Sequence, residues 1–377
     1  MKHAAEESIS SRMISELRSE ILSGKYNARE RFLSEAQIMR RYGVARQTAV
    51  RVLDRLVRDG LVYRRKGSGT FITDSARNRT GAIGIIVPGL AYAEIFAPVC
   101  SALSRLCAEK GYTLQLADFS SDDPVERAKL ALGIAEDLAS RNVAGVVFQP
   151  IEFLADSDDI NERIVSRLDE ANIPVVLMDG DLVSPPRRSR YDIVAVDNFA
   201  GGYAVGRHLV SQGVRRMCFL MREHWALSVQ ERLHGVMVAC AEAGVPFLKS
   251  SVFHSEPTDA RKVAALMRSK NRPEAIMCGN DTAALHLKMT LSKLGYEVPR
   301  DVLLAGFDDV QHAKIASLTT CRQPLEKIAS SCLEMLISRM EHPDGEPREI
   351  RLHADFVRRE STDFRQLCTN RKGTSRR

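Results

Sequence analysis

Arg46, Gln47, Thr48 and Arg51 stand at the start of a stretch in which Ala49, Val52, Leu53 and Leu56 recur at i, i+3, i+4 and i+7. The spacing predicts an amphipathic helix from about Ala45 to Asp59, with Arg55 and Arg58 on its polar side. The chemistry such a helix offers is base reading. Arg presents two donors that match O6 and N7 of guanine, and Gln presents a donor and an acceptor that match N6 and N7 of adenine, both from within a major groove. Further on, Arg64-Arg65-Lys66-Gly67 makes a basic turn. Its cations suit phosphates or the minor groove, and Gly67 lets the backbone come close.

The elements that would position these groups lie on either side. Ser34 and Gln37 form a capping-box pattern for a short helix to Tyr42, and Gly43 is placed to end it in a left-handed conformation. Gly60 stops the second helix, and Leu61-Val62-Tyr63 and Thr70-Phe71-Ile72 have strand character around the basic turn. An earlier helix, capped by Ser10 or Ser11 and running through Ile14, Leu17, Ile21 and Leu22 to Gly24, would buttress the pair. This order is that of a winged helix-turn-helix. A basic helix and hairpin that merely face water would explain the charge, but not the agreement of turn, helix and wing.

A chain of 377 residues suits a small head and a large body. The net charge of +6 conceals a split: residues 1–80 hold 17 Lys and Arg against 9 Asp and Glu, residues 81–365 hold 33 against 39, and residues 366–377 hold 4 against none. A basic head, an acidic body and a few basic last residues fit a protein that binds nucleic acid with its head and something small with its body. Residues 73–80 are polar and aperiodic, so the expected division is a head at 1–73, a linker at 74–80, a body at 81–365 and a disordered basic tail at 366–377.

From Ala82 onward, apolar runs alternate with amphipathic stretches. Strands are expected at 82–87, 113–117, 145–148, 174–178, 193–196, 217–221, 275–278 and 302–306, with helices between them, among them 96–110, 125–141, 198–212, 229–243, 260–270 and 282–294. Such alternation implies α/β architecture with doubly wound parallel sheets and ligand sites at the carboxyl ends of strands. Several polar residues stand at such ends: Asp179 after Val175–Met178, Asn280-Asp281 after Cys278, and Asp308-Asp309 after Gly306. Carboxylates and carboxamides there suit the paired hydroxyls of a sugar, because a buried polar group left unpaired is costly.

Two family resemblances rest on these residues. Residues 9 to 73 resemble the DNA-binding domain of GntR-family bacterial regulators in Leu33-Ser34-Glu35, Gly43-Val44-Ala45-Arg46, Asp59-Gly60-Leu61 and Gly67-Ser68-Gly69-Thr70-Phe71. The resemblance implies DNA contact by Ser34, Glu35, Arg46, Gln47, Thr48, Val50, Arg51, Arg64, Arg65, Lys66 and Gly67. Two positions depart from the family pattern. Ala45 replaces the usual Ser or Thr cap, a loss of roughly 1 kcal/mol. Val50 stands where a second DNA-contacting Arg is usual and could touch a thymine methyl instead.

The body resembles the effector-binding domain of the LacI/GalR family, related to periplasmic sugar-binding proteins. The resemblance runs through Ile83–Pro88, Val196–Tyr203, Arg232–Gly235, Cys278–Asp281, Val298–Asp301, Gly306–Asp309, Leu318–Thr320 and Arg359–Ser361. It implies two lobes crossed by three segments, here expected near Asp197, Leu318–Cys321 and Pro347–Ile350, with a small molecule between the lobes. It assigns Arg232 to paired hydroxyls, Asn280 and Asp308 as polar partners with Asp281 beside them, and Asp179 as a further strand-end contact. Tyr92 lies in the loop where the family places first-lobe contacts, while Trp225 could stack on a sugar face, and Phe253 or His254 and Gln323 complete the candidates. For these wall residues ordinary core packing is the competing reading, and for Arg232 and Asp308 a structural ion pair. The whole is similar in plan to arabinose repressors.

Function follows as an expectation: a DNA-binding transcriptional repressor whose operator affinity is changed by a small carbohydrate. The alternatives are a purine-type corepressor system and, in a different class, a sugar- or nucleoside-metabolising enzyme with a DNA-binding head. No Gly-x-Gly-x-x-Gly follows the first strand, and no phosphate-binding loop or Gly-x-Ser-x-Gly elbow occurs, so no catalytic residue is expected. His208, His224, His254 and His286 have no metal spacing, and neither metal nor cofactor is expected. Eight scattered cysteines without a Cys-x-x-Cys pair read as core residues in a reducing compartment. With no apolar span or leader in the sequence, a cytoplasmic protein is expected, free of membrane partners. Two half-sites are needed for specific affinity, so the partners are operator DNA, a small molecule and a second copy of the chain. The first lobe with the helix near Leu325–Arg339 is the dimer surface the resemblance implies.

Overall fold

The computed structural model describes residues 10, 12–14, 16–18, 20–21, 25–27, 29–73, 80–87, 94–116, 123–152, 157–183, 186–222 and 226–363. Most of the expected linker (74–79), Tyr92, Trp225 and the basic tail (366–377) lie outside them.

In the head, α1 (Glu35–Tyr42) starts at the expected capping box: Gln37 N donates to Ser34 Oγ at 3.3 Å, and Ser34 N donates to Gln37 Oε1 at 2.8 Å. Gly43, at φ 65°, turns the chain into α2 (Arg46–Arg58), which begins at Ala45 without a side-chain cap. The buried stripe of α2 is Ala49, Val52, Leu53 and Leu56, as its spacing predicts. It packs with Ile38 and with Met13, Leu17 and Ile21 of the preceding helical segment. The antiparallel wing consists of β1 (Val62–Arg65) and β2 (Gly69–Ile72), paired from Val62 with Ile72 to Arg65 with Gly69. Gly67, at φ 75°, makes the tight turn between them.

The body continues through β3 (Thr80–Ile86), α3 (Phe96–Glu109), β4 (Thr113–Leu116), α4 (Pro124–Ser140), β5 (Val143–Phe148), α5 (Ser157–Glu170), β6 (Val175–Met178) and β7 (Asp192–Val196). Then come α6 (Asn198–Ser211), β8 (Met217–Met221), α7 (Leu227–Glu242), β9 (Val252–His254), α8 (Ala260–Arg268), β10 (Ala275–Cys278), α9 (Asp281–Lys293) and β11 (Leu303–Ala305). The chain closes with α10 (Gln311–Ile315), β12 (Thr320–Arg322), α11 (Leu325–Glu341), β13 (Glu349–Leu352) and β14 (Asp355–Val357). One parallel sheet has the order β13-β7-β6-β5-β3-β4 and the other β11-β10-β8-β9, which makes two doubly wound lobes.

The apolar strand runs of the sequence are strands here to within a residue or two, because a parallel strand buried on both faces is apolar throughout. Thr80, expected in the linker, is the first residue of β3. Asp197 is a crossing, as expected, since β7 belongs to the first sheet and α6 covers the second. The other two crossings fall later than expected. The second lies at Gln323–Pro324, after β12 has paired with β14, and the third at His353–Ala354. Residues 349–352 are themselves an edge strand, paired in parallel with Ile193–Val196. Their alternation of Glu, Ile, Arg and Leu is that of a half-exposed edge and resembles a loop.

Candidate functional site

A groove of about 610 Å³ lies between α1, α2 and the wing of the head. Ser34, Glu35, Arg46, Arg64, Arg65, Lys66 and Gly67 line it together with Arg31, which the sequence reading did not single out. Arg31 joins the wing through an antiparallel bridge to Phe71, a contact with no local sequence signature. Arg46 is 78% exposed, and its Nε donates to Glu35 Oε2 at 3.1 Å, so the carboxylate aims the guanidinium without burying it. Arg64 is drawn back to Asp54 of α2 at 3.0 Å, which leaves Arg65 and Lys66 as the freely projecting cations of the wing. Gln47 and Arg51 are exposed, and Thr48 and Val50 are half-buried, on the first turns of α2.

In the body, two glycines set the position of Arg232. Helices α6 and α7 cross so closely that a Cβ on Gly202 would stand 2.1 Å from the carbonyl oxygen of Arg232, and one on Gly235 would stand 2.1 Å from that of Phe199. Arg232 is thereby buried, 3% exposed, and fixed by its neighbours. Its Nε donates to Asn198 Oδ1 at 2.8 Å, its Nη1 donates to the Gly279 carbonyl at 2.6 Å, and its guanidinium lies 3.8 Å from the centre of the Phe307 ring. Asn198 directly follows the crossing at Asp197, so the arginine is referenced to the hinge.

The two acids after Gly306 divide their work. Asp308 and Asp309 have φ of 121° and 60°, left-handed values that send consecutive side chains in different directions. Asp309 turns inward, accepting from Arg322 Nε at 2.6 Å and from Arg359 Nη2. Asp308 accepts from Gln323 Nε2 at 2.7 Å and stands 3.8 Å from Arg232 Nη1, too far for a hydrogen bond. Burial pushes its carboxyl up to about 6, against the pull of Arg232 and Gln323.

Asp179, at φ 74°, ends β6 of the first lobe, and its carboxyl is raised by burial while Arg232 acts on it in the opposite sense. A narrow void of about 40 Å³ is bounded by Asp179, Gly180 and Arg188 of the first lobe and by Ser228 and Glu231 of the second. The lobes therefore stand close together here. Asp179 and Gln323 also share a smaller void lined by Phe96 and Ile328, and Gln323 reaches Asp308 through its hydrogen bond.

The remaining candidates are distributed differently. Asn280 caps α9, its Oδ1 accepting from Ala283 N at 2.9 Å. Asp281 is fully buried, and its oxygens accept from Thr320 Oγ1 at 2.7 Å and Val310 N at 3.1 Å, so it holds the floor beneath Asp308. Phe253 is half-buried on edge strand β9 and packs on the core, with His254 exposed beside it. Two residues at the carboxyl end of β5 went unnoticed in the sequence. Gln149 is 6% exposed, and its Oε1 has no hydrogen-bond partner among the described residues. The Glu152 carboxyl is pushed up to about 8 by burial and by Asp179, opposed by Arg232. The signal available was their place just after an apolar strand run, the same signal that drew attention to Asp179.

A third set of contacts joins head and body. Arg18 donates to the Met340 carbonyl and pairs with Asp59, and Arg55 of α2 donates to the Glu341 carbonyl at 3.1 Å. Both carbonyls belong to the last turn of α11, whose first residue follows Gln323 and Pro324.

A groove lined by projecting arginines, set on a two-lobed body with a polar cleft at a triple crossing, defines a DNA-binding transcription regulator. The model for bacterial regulatory proteins of the gntR family matches residues 9–72, and that for a periplasmic binding protein-like domain matches residues 207–362. The HTH-type transcriptional repressor PurR of Yersinia pestis bv. Antiqua (strain Antiqua) is 30% identical over 291 residues, covering 75% of this chain and 80% of that protein. A solved LacI-family regulatory protein from Chloroflexus aggregans is 26% identical with a TM-score of 0.61, covering 74% of this chain and 98% of that one. The fold is shared by a LacI-family transcriptional regulator from Enterococcus faecium with bound ribose, at 21% identity and a TM-score of 0.60, covering 74% of this chain and 98% of that one. The chain belongs to the LacI/PurR family of transcriptional repressors and carries a GntR-family head.

Proposed function

We propose that the protein is a cytoplasmic homodimeric repressor whose grip on its operator is changed by a carbohydrate bound between the lobes, and that it catalyses no reaction. The observation that carries this reading is the pre-set Arg232: held by Asn198 and Gly279, stacked on Phe307, it faces Asp308 across a gap too long for a direct hydrogen bond. A pair of hydroxyls lying alongside can bridge the two groups, giving donors to Asp308 and acceptors to the guanidinium. Asp179 and Gln149 supply the facing polar groups from the first lobe, so a ligand that touches both lobes would favour their closed arrangement. The ribose held by the Enterococcus faecium regulator of the same fold supports this choice of ligand class.

For the dimer, helix 325–341 buries its apolar residues Ile328, Leu333, Met335 and Leu336 within its own chain. Met289 and Ile315 of the second lobe are 58% and 74% exposed and are offered to a second copy instead.

The test is operator release. Labelled operator is titrated with protein while mono- and oligosaccharides, purines and sugar phosphates are screened for a change in anisotropy. Arg232→Ala is expected to keep operator affinity and to lose the response, since removing a charged donor from a desolvated site costs about 2–5 kcal/mol of binding. A variant that answers at the wild-type effector concentration would remove Arg232 from the site.

A further inference from the structure

We propose that the effector is an amino sugar, bound through its protonated amine to an acceptor-rich wall of the cleft; the inference rests on the cleft being the effector site. Among the described residues, the groups gathered there are mostly hydrogen-bond acceptors. Glu152 and Asp179 come from the first lobe and Asp308 from the second, near enough that the Asp179 charge acts on both of the others. The cation acting on all three is Arg232. Two of its nitrogens are already committed to Asn198 and Gly279. Among the described cations nearby, Arg351 pairs with Glu231 and Glu349 and Arg188 with Asp181 and Glu349, while Arg187 is exposed and lines the void that Asp179 bounds.

Gln149 adds an independent sign. Its side-chain oxygen is buried at the end of β5, beside the strand that ends in Asp179 and three residues before Glu152, and no described residue donates to it. An orphaned buried acceptor is costly and marks the place of a missing donor. What would fill the site is therefore rich in donors and positive. Hydroxyls alone satisfy the acceptors but bring no cation to three acids gathered about one buried guanidinium, acids that burial already makes hold their protons more tightly than usual, and a phosphate adds a further negative group. An ammonium has three donors, no acceptor and the charge that is wanting. On a sugar ring it leaves vicinal hydroxyls for Arg232.

The experiment is a matched panel against the full chain by isothermal titration and operator release: glucosamine, galactosamine and mannosamine, each beside its neutral parent, its N-acetyl derivative and its 6-phosphate. One amine is expected to bind at least about tenfold more tightly than its parent and its N-acetyl form. Glu152→Gln and Asp308→Asn, which keep shape and cannot ionise beside the amine, should shrink that preference. Equal or tighter binding of a neutral parent or a phosphate overturns the inference and leaves the cleft reading standing. Binding by no member of the panel overturns the inference and the carbohydrate reading together.

Discussion

Arg55, on helix α2 of the head, donates through Nη2 to the main-chain carbonyl of Glu341 at 3.1 Å. The last carbonyls of a helix lack partners within it, and guanidinium groups from the head fill that role at the end of α11, with Asp59 bonded to Arg55 Nε at 3.1 Å. The other end of α11 follows Gln323, which holds Asp308 in the cleft. One rigid rod thus runs from the proposed effector site to the helix α2 proposed to read bases. Arg55→Ala is expected to leave effector binding unchanged and to shrink the effector-dependent change in operator affinity, ordinarily about 1–3 kcal/mol. Operator titrations with and without effector measure it, with a melting curve to check folding. An undiminished change would mean that coupling bypasses this contact.

Base contacts and phosphate contacts in the head should separate cleanly. Arg46, held by Glu35 yet 78% exposed, is placed to discriminate among bases, so Arg46→Ala should lose about 1–3 kcal/mol of preference at one operator position. Lys66 is exposed in the turn of the wing, away from the first turns of α2, and is placed for phosphates. Lys66→Ala should weaken all sequences alike and reduce the salt slope by about 0.9. Competition between operator and scrambled duplex at several salt concentrations distinguishes the two, and unchanged preference in Arg46→Ala would displace the assignment.

What the sequence disclosed and what it hid divide along physical lines. Ser34 and Gln37, three residues apart, disclose a helix start because a cap is a local interaction, and the continuous apolar runs disclose interior strands for the same reason. Glu349–Leu352 was hidden because an edge strand is recognisable only from its neighbour, Ile193–Val196. Gln149 and Glu152 were hidden because their significance lies in what surrounds them: an oxygen left without a donor, and a carboxylate from a strand close by. Asp281, adjacent to Asn280 in the same motif, proves to hold the loop and β12 through Val310 and Thr320, a role that only the distances reveal.

The cleft acids give stability a distinctive pH dependence. Burial raises the Asp308 carboxyl from 3.8 to about 6 and the Glu152 carboxyl from 4.5 to about 8. The folded chain therefore keeps protons that the unfolded chain releases. Their contribution is fully present at low pH and is lost as pH rises through the raised values. The effector-free protein should melt at lower temperature as pH increases from about 5 to about 8, and Glu152→Gln should flatten the upper part of that fall. Asp281, likewise raised to about 8, contributes in the same sense, so the variant removes only the share of Glu152. Calorimetry of both proteins across the range decides the matter; parallel profiles would show that Glu152 does not titrate there.

Ile315 at the end of α10 is 74% exposed, and Met289 on α9 is 58% exposed. Lys288 Nζ donates to the Ala316 carbonyl at 2.8 Å, which ties these two helices into one surface of the second lobe. Large exposed apolar side chains are stabilised by being covered, by about 1.5–3 kcal/mol for each one fully buried. A second copy related by a two-fold axis would place the same residues on both sides of the contact, so one substitution acts twice. Ile315→Asp is therefore expected to raise the dimer dissociation constant by about 100-fold or more, since two apolar contacts are lost and two charges face desolvation. Sedimentation velocity over a concentration series reads the dissociation, and affinity for a two-half-site operator should fall with it while affinity for a single half-site stays constant. A variant that remains dimeric at the wild-type concentration would move the interface away from Met289 and Ile315.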